Sequence, residues 1–152
     1  MVPEEPTLPL VPGCEWCFGC GPENPFGLHP RFDVETDATG GQRVVAAFTA
    51  RPEHQGFTGL VHGGILTAMI DEAMAHAVWA AGIFAVTGRL EVVFHRPTPI
   101  ETPLRAEGEV TASRARVHET RARLLLPDGT VSVEGTGTFV ELPEGRFGQP
   151  KA

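Results

Sequence analysis

The sequence predicts an α+β domain in which a curved antiparallel sheet wraps around one long central helix, and three observations carry that expectation. A single apolar run at helical spacing occupies the middle of the chain. The other patterned segments read as strands, with Gly, Pro, Asn and Asp clustered between them. Finally, 152 residues with 41% hydrophobic content suffice for one core and are too few for two comfortable domains.

Residues 1–13 are proline-rich and acidic and read as a flexible leader, residues 14–142 as the single domain and residues 143–152 as a tail. CEWCFGCGPENPFGL (14–28) is rich in Gly, Pro and Asn, so it reads as a loop held by its aromatics. RFDVE (31–35) and RVVAAFT (43–49) flank TDATGG as a hairpin, and residues 51–61 form a second glycine-containing loop. Ile65, Leu66, Met69, Ile70, Ala73, Met74, Ala77, Val78 and Ala81 then place a helix over 64–81, ended near Gly82. Four strand-like runs follow, 85–97, 104–117, 118–127 and 130–142, punctuated by PTPIETP and PDG and expected as an antiparallel meander. So apolar a helix must be covered on much of its circumference, by the sheet and by a neighbouring subunit.

The formal net charge is −7 and Lys151 is the only lysine, which argues against a polyanion-binding surface and hence against nucleic acid as a partner. The other basic residues are arginine, whose planar fork suits phosphate; Arg89, Arg96, Arg114 and Arg116 are candidates for such contacts or for a solvated strand face. MVPEEPTLPLVPG has neither a cationic n-region nor an apolar h-region, and no apolar run is long enough to span a bilayer, so the expectation is a cytoplasmic protein with no membrane partner. An odd set of thiols, Cys14, Cys17 and Cys20, fits a reducing compartment. With His29 it could complete a tetrahedral zinc site, but a packed loop is the simpler reading, and neither metal nor cofactor is expected.

The chemistry concentrates in GLVHGGILTAMIDEAMAHAV, 59–78. A helix N-terminus exposes N–H groups without intrahelical acceptors, and Gly63 and Gly64 would let a carbonyl oxygen approach them closely. Asp71 lies nine residues after His62, and its neighbours one turn away, Thr67 and Ala75, are small enough to leave room for a substrate. An aspartate inside an apolar helix is either catalytic or held by a structural hydrogen bond. Glu72 is expected to pair with His76 at i+4 on an exposed strip. Phe26, Phe57, Trp79 and Phe84 could line an apolar pocket or simply fill the core.

GLVHGGILTAMIDEAMA resembles the signature of hot-dog fold acyl-CoA thioesterases of the PaaI-like (phenylacetyl-CoA thioesterase-like) group. CFGCGPENPFGL (17–28) is similar to that group's lead-in, and TGRLEVVFHRPTPIETPL (87–104) to its strand and Pro-containing turn, so the resemblance runs over about residues 17–140. It implies a hot-dog fold and hydrolysis of an acyl-CoA substrate to free acid and CoA without a cofactor. It implies Asp71 as nucleophile or general base, Gly63 as oxyanion donor, His62 as shaper of the turn and Thr87 as the group orienting water or the carboxylate. Gly64 and Thr67 would border the substrate. Where some relatives hold water with Asn or Gln this chain has Gly56, so His54 or Gln55 would have to serve. A homodimer is implied, with Asp71 and Thr87 of one chain facing Gly63 of the other, pairing further into a homotetramer. Two alternatives stay open: a hot-dog hydratase using His62 or His76 with Asp71, and an acyl-CoA binding protein without turnover.

Overall fold

The structure, a computed structural model, describes residues 8–143. Most of the expected leader and tail, residues 1–7 and 144–152, therefore lies outside the described residues. The hairpin forms as β1 (Asp33–Thr36) and β2 (Gln42–Thr49). A short 3-10 turn (Pro52–His54) precedes α1 (Gly63–Ala80), and four strands follow: β3 (Ala85–Phe94), β4 (Pro103–Arg114), β5 (Val117–Leu125) and β6 (Val131–Glu141).

All six strands join one antiparallel sheet in the order β1-β2-β4-β5-β6-β3. This corrects the expected four-strand meander, because only β4, β5 and β6 run on as neighbours. β3 pairs with β6 at the far edge, and β4 inserts beside β2. Helix α1 carries the chain across the sheet face before β3 begins, and residues 95–102 bring it back. Periodicity identifies a strand but says nothing of its neighbour.

Helix and sheet approach each other closely because the strands lack side chains where the helix crosses. A Cβ on Gly108 would stand 2.2 Å from the Ala73 carbonyl oxygen, one on Gly135 2.5 Å from Ile70, and one on Gly137 3.1 Å from Met74. Around these points Met69, Ile70, Ala73 and Met74 of α1 are fully buried against Ala106, Leu124, Val133 and Phe139. The opposite face of the sheet is kept polar by charge pairs within and across its strands. Glu107 accepts from Arg105 at 2.8 Å and Arg123 at 2.7 Å, while Glu35 accepts from Arg105 at 2.7 Å and Arg43 at 3.1 Å. Beyond the end of the sheet's inner face, the buried His118 is satisfied by Ser113 and Glu141, each at 2.8 Å, which ties β4, β5 and β6 together.

Gly108→Ala is the sharpest probe of this packing. The added methyl meets helix backbone, which cannot swing away, so denaturant unfolding should show a loss of about 1–3 kcal/mol.

Candidate active site

Helix α1 begins on a histidine cap. His62 is extended (φ −60, ψ 134) and its Nδ1 accepts the Gly64 N–H at 2.8 Å, so the imidazole proton sits on Nε2. The two glycines that follow have different reasons to be glycine. A Cβ on Gly64 would lie 2.9 Å from His62 Nδ1, blocking the cap, whereas one on Gly63 would meet only the Phe94 ring, at an ordinary 3.7 Å. Among the described residues the Gly63 N–H makes no hydrogen bond, and it stands at the positive end of the helix.

The loop before the helix is moulded by residues expected to touch substrate. His54 is buried, its Nδ1 accepts the Arg51 N–H at 3.0 Å, and its carbonyl accepts the His62 N–H at 2.8 Å. Burial holds its pKa below the ordinary 6.5, with the Arg51 cation adding to the effect. Gln55 is exposed and closes the loop through Oε1, which accepts the Gly59 N–H at 3.0 Å. Thr67 bonds back to the Gly63 carbonyl at 2.8 Å.

Asp71 and Thr87 are brought together. The Thr87 hydroxyl donates to Asp71 Oδ1 at 2.7 Å, from a point where β3 slips register between Thr87 and Arg89. The irregularity at Gly88 sets Thr87's aim toward the helix, a common use of bulges beside functional sites. Asp71 and Gly63 are not brought together within the chain: eight residues of helix separate them, about 12 Å along the axis.

Glu72 corrects the expectation of an exposed strip. The CFGC loop folds over this side of α1, leaving the Glu72 side chain 14% exposed, with Oε1 3.6 Å from Cys17 Sγ and Oε2 without a hydrogen bond. Burial pushes its pKa up to about 8. His76 stacks on Phe32 (centroids 4.3 Å apart), its Nδ1 lies 2.9 Å from the Glu72 backbone carbonyl, and burial lowers its pKa. His29, which could have completed a metal site with the cysteines, lies with Nε2 2.6 Å from the Asn24 carbonyl.

Of the four aromatics, Phe26 and Phe57 are exposed and belong to neither pocket nor core. Trp79 and Phe84 line a largely apolar cavity of about 340 Å³, whose wall reaches Glu72 and Val86, the chain neighbours of Asp71 and Thr87. Arg116 is engaged with the Glu141 carbonyl at 2.8 Å, away from a phosphate role.

The model of the thioesterase superfamily matches residues 58–133, which take in the cap, the helix, Asp71 and Thr87. The chain belongs to the thioesterase superfamily. Among its relatives, the acyl-coenzyme A thioesterase THEM4 of Bos taurus is 29% identical over 102 residues, or 66% of this chain and 42% of that protein. The chain thus spans less than half the length of that relative. The crystal structure of a thioesterase superfamily protein is 27% identical, with a TM-score of 0.73, covering 91% of this chain and 70% of that one. The E. coli PaaI protein of the phenylacetic acid degradation operon is 19% identical, with a TM-score of 0.67, covering 75% and 84%. The hot-dog fold implied by the sequence is therefore the fold of this thioesterase superfamily member.

The His54 shift has a definite sign. The unfolded chain binds the proton near 6.5 and the folded chain more weakly, so His54's contribution to stability is present above about 6.5 and lost as pH falls through the folded value. Melting temperatures followed below that pH should fall more steeply for the wild type than for His54→Asn.

Proposed function

We propose that this superfamily member hydrolyses an acyl-CoA thioester at a site shared between two copies of the chain, with Asp71 of one copy and the Gly63 N–H of the other acting on the same thioester. The observation that carries the reading is the pairing of a Thr87-held carboxylate with an unspent N–H about 12 Å along the same helix. One chain cannot bring both to one carbonyl, whereas an antiparallel pair of helices can.

Thr87 donates to Oδ1 and thereby fixes the carboxylate, leaving Oδ2 to attack the acyl carbon or to take a proton from water. The carbonyl oxygen, gaining charge, is stabilised by the Gly63 N–H at the positive end of the helix. The C–S bond breaks, CoA leaves as the thiol, and the acid follows. No metal or organic group takes part in these steps.

The copies would meet along β3, an edge strand that exposes Val86, Val93 and Phe94, the last of these beside the helix start. Further pairing into a tetramer is part of the same reading. No helix among the described residues is long and apolar enough to cross a membrane, and the odd set of free thiols supports a cytoplasmic setting. The hydratase alternative has less support: the Nδ1 lone pair of His62 is spent on Gly64, and His76 is buried under Phe32.

Thiol release from a panel of aromatic and aliphatic acyl-CoA thioesters tests the chemistry, and Asp71→Asn should lower turnover by at least about 10²-fold. If the wild type releases no thiol from any of them, the reading fails and the binding-protein alternative takes its place. Gly63→Pro removes only the proposed donor: proline is tolerated at the first helical position, and His62 already has the extended conformation proline requires of its predecessor. Turnover should fall by about 10²–10³-fold with the fold retained. Co-expressing the two variants tests the sharing, since a mixed dimer regains one site with both groups intact. No regain of activity in mixed dimers would overturn the shared site.

A further inference from the structure

Thioester hydrolysis leaves the CEWCFGC loop without a role, and the region matched to the superfamily begins only at residue 58. Yet the loop and the helix build a compact donor set. The sulfurs of Cys17 and Cys20 and a carboxylate oxygen of Glu72 lie within 4.8 Å of one another, with Cys17 Sγ 3.6 Å from Glu72 Oε1. A zinc ion with its usual bond lengths, about 2.3 Å to sulfur and 2.0 Å to oxygen in a tetrahedron, sets that sulfur–oxygen edge at about 3.5 Å.

The loop is shaped for this closeness. In Cys17-Phe18-Gly19-Cys20-Gly21 the Gly21 N–H bonds the Cys17 carbonyl at 2.9 Å, and the N–H groups of Gly19 and Cys20 face the Cys17 sulfur. A Cβ on Gly19 would fall 2.0 Å from the Glu72 carboxyl carbon, and one on Gly21 2.4 Å from the Cys17 nitrogen. Any side chain at Gly19 would thus displace the carboxylate or the loop from this contact. Glu72 Oε2 is buried without a hydrogen bond, and His76 is its only ion-pair partner among the described residues. The two sulfurs and the carboxylate therefore face one another, and among the described residues no arginine or lysine is ion-paired to the carboxylate.

We propose that Cys17, Cys20 and Glu72 bind a thiophilic divalent cation, zinc by preference, which staples the 14–28 loop to α1 at the residue next to Asp71. Two sulfur donors select zinc over magnesium or calcium. Cys17, Cys20 and Glu72 all lie on the wall of the apolar cavity, as does Cys14. This site stands independently of the proposed hydrolysis.

The test uses the full chain purified with zinc and without chelators. Elemental analysis should find about one zinc per chain, and cobalt in its place should give thiolate-to-metal absorption in the near ultraviolet. Glu72→Gln, with an unchanged circular dichroism spectrum, should bind zinc at least about tenfold more weakly. A chelator should lower the melting temperature of the wild type more than that of the variant. Cys20→Ser serves if Glu72→Gln does not fold, and His29→Ala should keep its metal. The proposal is overturned by a reduced wild type that retains neither zinc nor cobalt, by a Glu72→Gln protein that holds zinc as tightly as the parent, or by a metal-free protein whose Cys17 and Cys20 are recovered as a disulfide.

Discussion

The position of α1 on the sheet is the constraint on which everything else rests. Gly108 lets a helix carbonyl reach the plane of β4, and Gly135 and Gly137 do the same for Ile70 and Met74 on β6. With those contacts fixed, the rotation of the helix is fixed, because a turn of a single residue step would drive a side chain into the strands. Asp71 is thereby aimed at β3 and Glu72, about 100° further around the axis, at the cysteine loop.

Two adjacent carboxylates thus meet different surroundings. Asp71 meets a hydroxyl donor at a partly open edge, which holds one of its oxygens and leaves the other unengaged by that bond. Glu72 lies under a loop that supplies sulfur and no cation, and desolvation raises its pKa. Nothing in the chemistry of Asp and Glu separates them. Burial and the donor within reach do.

Much of this was legible in the sequence. The helix, the hairpin and the last four strands are encoded in local periodicity and turn chemistry, and each formed close to its expected bounds. The His-Gly-Gly start and Asp71 could be picked out because glycine and acid are out of place in an apolar helix. What could not be read depends on contacts distant in sequence. The placement of β3 beside β6 is set by where the helix ends in space, and the Thr87–Asp71 contact, which the family resemblance implied, sits at a register slip around Gly88 that alternation alone does not reveal. Glu72 was misplaced because helical spacing gives its i+4 partner but not the loop 55 residues earlier that covers it. For that loop the signal was present: the glycine-punctuated CFGCG run is what a chain needs to close tightly over a neighbouring side chain.

The paired glycines at the helix start carry the distinction between fold and function to single-residue scale. Gly64 has an internal cause, since any side chain there would strike the imidazole that caps the helix. Gly63 has none: a Cβ would sit at ordinary distance from Phe94, and its N–H serves no acceptor among the described residues. Glycine is a poor helix residue, so its use where the fold does not require it needs an explanation from outside the chain. A ligand oxygen approaching the bare amide is such an explanation, and a second copy carrying its own Asp71 is another. The proposed shared site would join the two, because the group approaching Gly63 would then be the carbonyl held against the other copy's carboxylate.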